Sequence, residues 1–270
     1  MKTFNCSAEF TWMLAQHAPV AYYHHKNGDK VSVRTLNGMS EVFYFADELI
    51  QGNRDGLFST SGQTNDVYDG NFNPINKWKT WEPPPYKEYF SQESKIKEDK
   101  DIIVINNKFN PEWSNRKPYN YLSLEFLESF FEKFHDKYKI YYLRYNGTGR
   151  EGDSYYDDVP SFEFHDYEVV SKFPSVTTIY DVMDEHQIGF NKAQFWIYSQ
   201  TKHTVTVNGG NAVLSAYFGD DVVIYGHPKC KSSPRTVWWS DSWLSKLGCN
   251  KILGTQDYDE LLKMCEERWL

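Results

Sequence analysis

Asn208-Gly209-Gly210-Asn211 is the stretch of this 270-residue chain whose residue types can most directly do chemistry. The run Thr204-Val205-Thr206-Val207 before it reads as a β-strand, because β-branched side chains fit a pleated surface. Two glycines then permit backbone angles and close approaches that a Cβ forbids. The small residues that follow, through Phe218, read as a helix. The first N–H groups of such a helix have no partner within it and carry partial positive charge, which suits a phosphate or diphosphate. A Gly-Gly turn also serves purely steric ends in α/β proteins, and both readings stand at this level. Two cations are placed to join the turn. Lys108 follows the strand predicted at Asp101–Asn106, and Arg144 ends the strand predicted at Ile140–Tyr145. Ligands of open α/β sheets bind outside the carboxyl ends of strands. A guanidinium grips two phosphate oxygens and an ammonium offers a point charge. The competing account is an ordinary ion pair, since carboxylates outnumber Lys and Arg by 37 to 29. Arg150, in a glycine-rich loop, is read as a surface residue.

Several literal motifs fail on context. Gly147-Thr148-Gly149-Arg150-Glu151-Gly152 fits G-x-G-x-x-G after a strand, but the chain continues Asp153-Ser154-Tyr155-Tyr156, poor material for the helix a dinucleotide fingerprint needs. Asp257-Tyr258-Asp259 matches the D-x-D pattern of metal-binding sites but opens the last predicted helix, where capping explains it. No H-E-x-x-H, Walker loop or G-x-S-x-G occurs. His24 and His25 point about 100° apart on a helix and make no natural chelate. Cys6, Cys230, Cys249 and Cys265 form no C-x-x-C pair, which argues against a zinc or redox motif and for a reduced compartment.

The elements that must position these residues alternate between strand and helix. A strand at Thr3–Cys6 precedes a helix from Glu9 to about His25, and strands are predicted at Lys30–Thr35 and Glu41–Phe45. Residues 52–86 are irregular and close on Trp81-Glu82-Pro83-Pro84-Pro85-Tyr86, whose three prolines enforce an extended connector. Glu93–Asp101 continues it as linker or surface helix. Beyond lie the strand at Asp101–Asn106, an amphipathic helix at Leu122–Tyr138 with Ser123 as its cap, and the strand at Ile140–Tyr145. A strand at Thr177–Tyr180, a helix at Asn191–Gln200, the Gly-Gly unit and a strand at Asp221–Tyr225 follow. Lys229–Gly254 reads as loop and Asp257–Leu270 as a helix. Such alternation predicts mostly parallel sheets covered on both faces.

Composition narrows the partners. Hydrophobic residues make up 40% and charged residues 24%, as in ordinary globular proteins. Aromatics reach 17%, enough for both core packing and stacking on sugars; Trp12, Trp78 and Trp81 are candidates for such a stacking wall. A formal net charge of −8 lacks the basic footprint of nucleic-acid binders. No apolar run approaches the roughly 20 residues of a membrane span, and the N-terminus lacks a secretion signal. A cytoplasmic location is therefore expected.

Two α/β halves, a proline connector, a Gly-Gly phosphate turn in the second half and a terminal helix together resemble the GT-B glycosyltransferases. The residues that carry the likeness are Cys6-Ser7-Ala8-Glu9-Phe10-Thr11-Trp12, Asn106-Asn107-Lys108-Phe109-Asn110-Pro111-Glu112-Trp113, Tyr142-Leu143-Arg144 and Asn208-Gly209-Gly210-Asn211. They look like a group of small enzymes of large DNA viruses of algae and of microbes, which includes xylosyl-transferring members. The longer donor motif of the exostosin type is absent. The resemblance implies an α/β, GT-B-like chain of two Rossmann-like domains facing a central cleft. Residues 1–90 would bind the acceptor and 91–256 the nucleotide sugar, and the helix at 257–270 would pack back on the first domain. It further implies inverting, metal-independent transfer of a sugar, xylose among the options, from a UDP-type donor to a glycan acceptor, in the host cytoplasm for a viral enzyme. No cofactor is expected, nor a nucleic-acid partner or membrane span. Asn208, Gly209, Gly210 and Asn211 would hold the diphosphate, Lys108 and Arg144 would neutralise it, and Asp181 would meet the ribose or cap its loop. Glu9, Asp47 and Asp69 are rival bases for the acceptor hydroxyl. A non-catalytic carbohydrate- or nucleotide-binding protein on the same scaffold is the alternative.

Overall fold

Short runs rich in Val and Ile, buried on both faces, make parallel strands, and the central strands of the larger sheet are of that kind. A computed structural model describes residues 1–6, 10–52, 80–110, 117–118, 120–146, 163–228 and 243–270. The described residues divide into two compact units, one ending at Pro85 and the other beginning at Tyr86.

In the first unit β1 (Lys2–Cys6), β2 (Val31–Leu36) and β3 (Glu48–Gly52) form a parallel sheet in that order. The register sets Lys2 beside Val31 and Ser32 beside Glu48. Between β1 and β2 runs one helical stretch, α1 (Phe10–Trp12), a π-helical segment (Met13–His17) and α2 (Ala18–Lys26). Pro19 accounts for the wide turn. It has no N–H, and its ring collides with a carbonyl four residues back in a regular helix. The Ala18 N–H reaches Met13 O instead, and the carbonyl of Ala15 is taken by the Trp81 indole N–H at 2.8 Å. Trp81 thus repairs the helix with its indole N–H.

Two strand expectations change here. Glu41–Phe45 is a chain of turns, with bonds such as Ala46 N–H to Phe43 O at 2.9 Å, and its apolar Val42 and Phe43 are buried without pairing. The third strand lies just beyond, at Glu48–Gly52. Its side chains are mostly exposed, so no apolar alternation marks it.

The second unit is a six-stranded parallel sheet ordered β6-β5-β4-β7-β8-β9. In chain order it comprises α3 (Tyr86–Glu93), β4 (Ile102–Asn106), α4 (Leu124–Phe134), β5 (Lys139–Leu143), α5 (Asp166–Ser171), β6 (Val176–Thr178), α6 (Ile179–His186) and α7 (Phe190–Ser199). Then come β7 (His203–Val207), α8 (Gly210–Phe218), β8 (Asp221–Tyr225), β9 (Lys251–Thr255) and α9 (Tyr258–Trp269). Ser123 caps α4 by accepting from Phe126 N–H at 3.1 Å, and Asp257 caps α9 by accepting from Glu260 N–H at 2.9 Å, as their types predict. One face of α4 sinks Phe126, Leu127, Phe130, Phe131 and Phe134 into a core shared with β4, β5, β7 and β8. Leu261, Cys265 and Trp269 of α9 join that same core, which ties the last helix into the second unit.

Between α8 and β8 the chain turns at Gly219 with no room for a side chain. A Cβ built there would lie 2.5 Å from Val222 Cγ2 and 3.2 Å from the Ser215 carbonyl. Gly219→Ala is expected to cost about 1–3 kcal/mol through this overpacking, read as a lower urea midpoint with an unchanged slope.

Candidate functional site

A sheet that winds outward from its middle leaves a crevice at the carboxyl ends of the two strands where the winding reverses. Here those strands are β4 and β7. Their register places Asn106 opposite Thr206, so Asn107-Lys108 and Asn208-Gly209 leave the sheet side by side. Gly209 has φ +120 and ψ −148, a conformation L side chains rarely adopt. The carbonyl of Gly209 accepts from the N–H groups of Ala212 and Val213 at 3.1 and 3.2 Å, closing the first turn of α8. The Nζ of Lys108 lies 3.7 Å from where a Gly209 Cβ would stand. A half-buried ammonium therefore sits at the amino end of a nine-residue helix. Positive charge from two sources, side chain and helix dipole, converges on one turn.

Buried asparagines hold this turn in place. Asn211 Nδ2 donates to Asn106 Oδ1 at 2.8 Å, fastening α8 to the end of β4. Asn106 Nδ2 donates to the Tyr198 hydroxyl at 2.9 Å, and Tyr198 meets Ser215 Oγ at 3.0 Å. Ser215 closes the ring by donating to the Asn211 carbonyl at 2.7 Å. Asn120 Nδ2 donates to the Asn208 carbonyl at 2.7 Å while its Oδ1 accepts from His227 N–H at 3.1 Å, joining the ends of β7 and β8. Asn208 itself differs: both polar atoms of its buried side chain lack a hydrogen-bond partner among the described residues. Buried amides are rarely left so. Asn120 has no place in the sequence reading, and Asn106 and Asn107 enter it only at a strand end and in the resemblance, with no role of their own. The signal available was Asn106-Asn107 directly after an apolar strand, where burial obliges polar side chains to find partners.

The structure brings Lys108 together with Asn208, Gly209, Gly210 and Asn211 and gives Arg144, Asp181 and Asp47 different work. The side chain of Asn211 faces β4 and supports the turn from behind. Arg144 is only 3% exposed, and its guanidinium forms a two-pronged ion pair with the fully buried Asp166, Nη2 to Oδ1 being 2.7 Å and Nε also meeting Oδ2. The ion-pair account therefore replaces diphosphate neutralisation for Arg144. Asp181 belongs to the first turn of α6, because β6 ends at Thr178 and the predicted loop at Tyr180–Met183 is helical. Its carboxylate accepts from Thr178 N–H at 2.7 Å while Thr178 Oγ1 accepts from Asp181 N–H at 3.2 Å, a reciprocal capping box. Asp47 stands just before β3 and accepts from Val31 N–H at 2.8 Å, at the first residue of β2. That is the amino edge of a parallel sheet, opposite the edge where ligands bind, so the structure removes Asp47 from the candidate bases. Glu9, Asp69 and Trp78 lie outside the described residues.

Among the described residues no three His, Cys, Asp or Glu side chains come together as metal ligands. No helix among them is long and apolar enough to cross a membrane. Cys6, Cys249 and Cys265 are buried thiols, and desolvation pushes the Cys249 thiol up to about 11.

No protein-family model matches the chain, and no curated protein matches it in sequence. Solved structures do match its architecture. Escherichia coli ADP-heptose LPS heptosyltransferase II is similar with a TM-score of 0.53 at 9% identity, over 98% of this chain and 100% of that one. A glycosyl transferase family 9 protein from Veillonella parvula is similar with a TM-score of 0.50 at 11% identity, over 98% of this chain and 89% of that one. Parallel sheets in two units, a glycine turn at the switch point and these two likenesses converge on one conclusion: the chain has the α/β GT-B fold.

Proposed function

We propose that this protein is a glycosyltransferase that takes a sugar from a nucleoside-diphosphate donor bound at the Asn208–Asn211 turn and passes it to a glycan acceptor. The observation that carries the reading is the ammonium of Lys108, 3.7 Å from the Gly209 Cβ position at the start of α8. A departing diphosphate gains negative charge as the sugar–oxygen bond breaks, and a fixed cation with oriented N–H groups stabilises that charge. On this reading Lys108 serves without a metal ion, and Glu9 or Asp69 deprotonates the acceptor hydroxyl for transfer with inversion. The side-chain groups of Asn208, which have no partner among the described residues, add polar capacity at the first residue of that turn. UDP-xylose is the first donor to try, because the short motifs resemble xylosyl-transferring enzymes. A cytoplasmic setting belongs to the same proposal.

Titration calorimetry with UDP, GDP and ADP in EDTA tests it. At least one should bind, and Lys108→Ala should weaken that binding about tenfold to a hundredfold, the loss of one charged hydrogen bond. Failure of all three nucleotides sinks the proposal. A donor panel of UDP-xylose, UDP-glucose and ADP-heptose then separates transfer from binding without turnover. Loss of binding in EDTA that returns with magnesium would overturn the metal-independent part alone.

A further inference from the structure

We propose that Asp166, Tyr142 and Asn107 form a buried positioning relay that holds Lys108 over the Gly209 turn; its catalytic meaning rests on the diphosphate reading above. Each member is almost wholly buried: Asp166 0%, Tyr142 0% and Asn107 2% exposed. Asp166 is the ion-pair partner of Arg144 and accepts from its guanidinium. The Tyr142 hydroxyl has a single proton and donates it to Asp166 Oδ2. Burial and the neighbouring carboxylate both hold that phenol in its protonated form. Its oxygen is then left to accept, and Asn107 Nδ2 donates to it at 3.1 Å.

The direction of these bonds decides how the Asn107 amide faces. With Nδ2 committed to Tyr142 and to the Leu122 carbonyl at 3.1 Å, Oδ1 turns to the backbone N–H groups of Lys108 at 2.9 Å and Leu122 at 2.8 Å. Reversing the amide would set donor against donor at the two N–H groups and acceptor against acceptor at Tyr142 and the Leu122 carbonyl. One side chain therefore pins the chain on both sides of the excursion between residues 108 and 121. The other flank of Lys108 is held too. Phe109 stacks on Phe164 with ring centres 4.2 Å apart and planes at 10°, and the Arg144 guanidinium lies 5.8 Å from that same Phe164 ring. A lysine has much rotamer freedom to lose, so an ammonium useful to a ligand needs its backbone aimed beforehand. Arg144 and Asp166 thus act at a distance, through Asn107 and Phe109, on the cation that the described residues bring to the turn.

Tyr142→Phe and Asn107→Ala test the relay with two readouts. The first needs no nucleotide: acylation of Lys108 by an N-hydroxysuccinimide ester, followed by peptide mass spectrometry. Both variants should label Lys108 severalfold faster, towards the rate of the exposed Lys263, while Lys139 keeps its wild-type rate. An unchanged Lys108 rate in Tyr142→Phe overturns the relay. The second is a double-mutant cycle in binding of whichever of UDP, GDP or ADP the wild type retains. Tyr142→Phe should weaken binding about threefold to tenfold when Lys108 is present and have no effect in Lys108→Ala. Equal losses in both backgrounds mean that Tyr142 does not act through Lys108, and the relay falls. Circular dichroism establishes folding, and Tyr142→Phe decides if Asn107→Ala does not fold. Should the wild type bind no nucleotide, the donor reading fails while the labelling rates still judge the relay.

Discussion

Asp166→Ala is expected to destabilise the second unit by about 3–5 kcal/mol, a large part of what holds a domain together. Asp166 is fully buried and Arg144 is 3% exposed, so the pair meets out of water. Removing the carboxylate strands a guanidinium where solvent cannot reach it, and it withdraws the acceptor from the Tyr142 hydroxyl at the same time. Aromatic faces do not replace it. Arg144 lies 5.2 Å from the Tyr167 ring centre, and a cation–π contact contributes only about 0.5–2 kcal/mol. The pair as a whole is another matter, because both charges gave up hydration to be buried. Arg144→Met with Asp166→Leu should therefore cost far less than Asp166→Ala alone. Urea denaturation of Asp166→Ala and of the double variant measures this. A single-variant loss below about 1 kcal/mol would mean that Arg144 escapes to solvent, and would reopen its candidacy as a ligand group.

Acidification from pH 7 to pH 4 should destabilise the first unit by up to about 3 kcal/mol through His17 alone. His17 ends the π-helical segment and is buried, and desolvation lowers its imidazole pKa to about 4 from the ordinary 6.5. The unfolded chain then binds a proton that the folded chain refuses throughout the window between those values. Stability is fully present above about pH 6.5, declines as pH falls through the window, and levels off below about 4. His203, at the start of β7, is shifted in the same direction by burial and adds to the loss in the second unit. Thermal melts at pH 7, 6, 5 and 4 follow the effect, and His17→Gln separates it from carboxylate titration by flattening the profile between pH 6.5 and 4. An unaltered profile in that variant would show that His17 takes up its proton within the folded state.

Local chemistry was legible wherever one segment settles its own structure. Ser123 and Asp257 cap helices because a short side-chain oxygen satisfies an N–H three residues on, an interaction contained in four residues. Thr178-Ile179-Tyr180-Asp181 carries the same kind of signature, a capping box, and could have been read as a helix start. Two of the edge strands, β3 and β9, were not legible. β3 faces solvent with most of its side chains, and β9, Lys251–Thr255, carries a glycine and lies within the stretch read as loop. Neither has the apolar pattern that a doubly covered central strand must have.

Taken alone, the sequence determined the alternation of strand and helix and the glycine turn ahead of α8, because β-branched runs, Gly-Gly and small-residue helices constrain the backbone within a few residues. It could not determine which of two cations serves that turn. Lys108 and Arg144 stand alike at strand ends, and the difference between them is a partner 22 residues beyond Arg144 and a glycine 101 residues beyond Lys108. Only the winding of the sheet, β6-β5-β4-β7-β8-β9, brings the end of β4 against the end of β7 and leaves β5 one strand away. Packing then committed Arg144 to Asp166, since a charge cut off from water must be paired. The tertiary structure thereby left Lys108 as the cation beside Gly209.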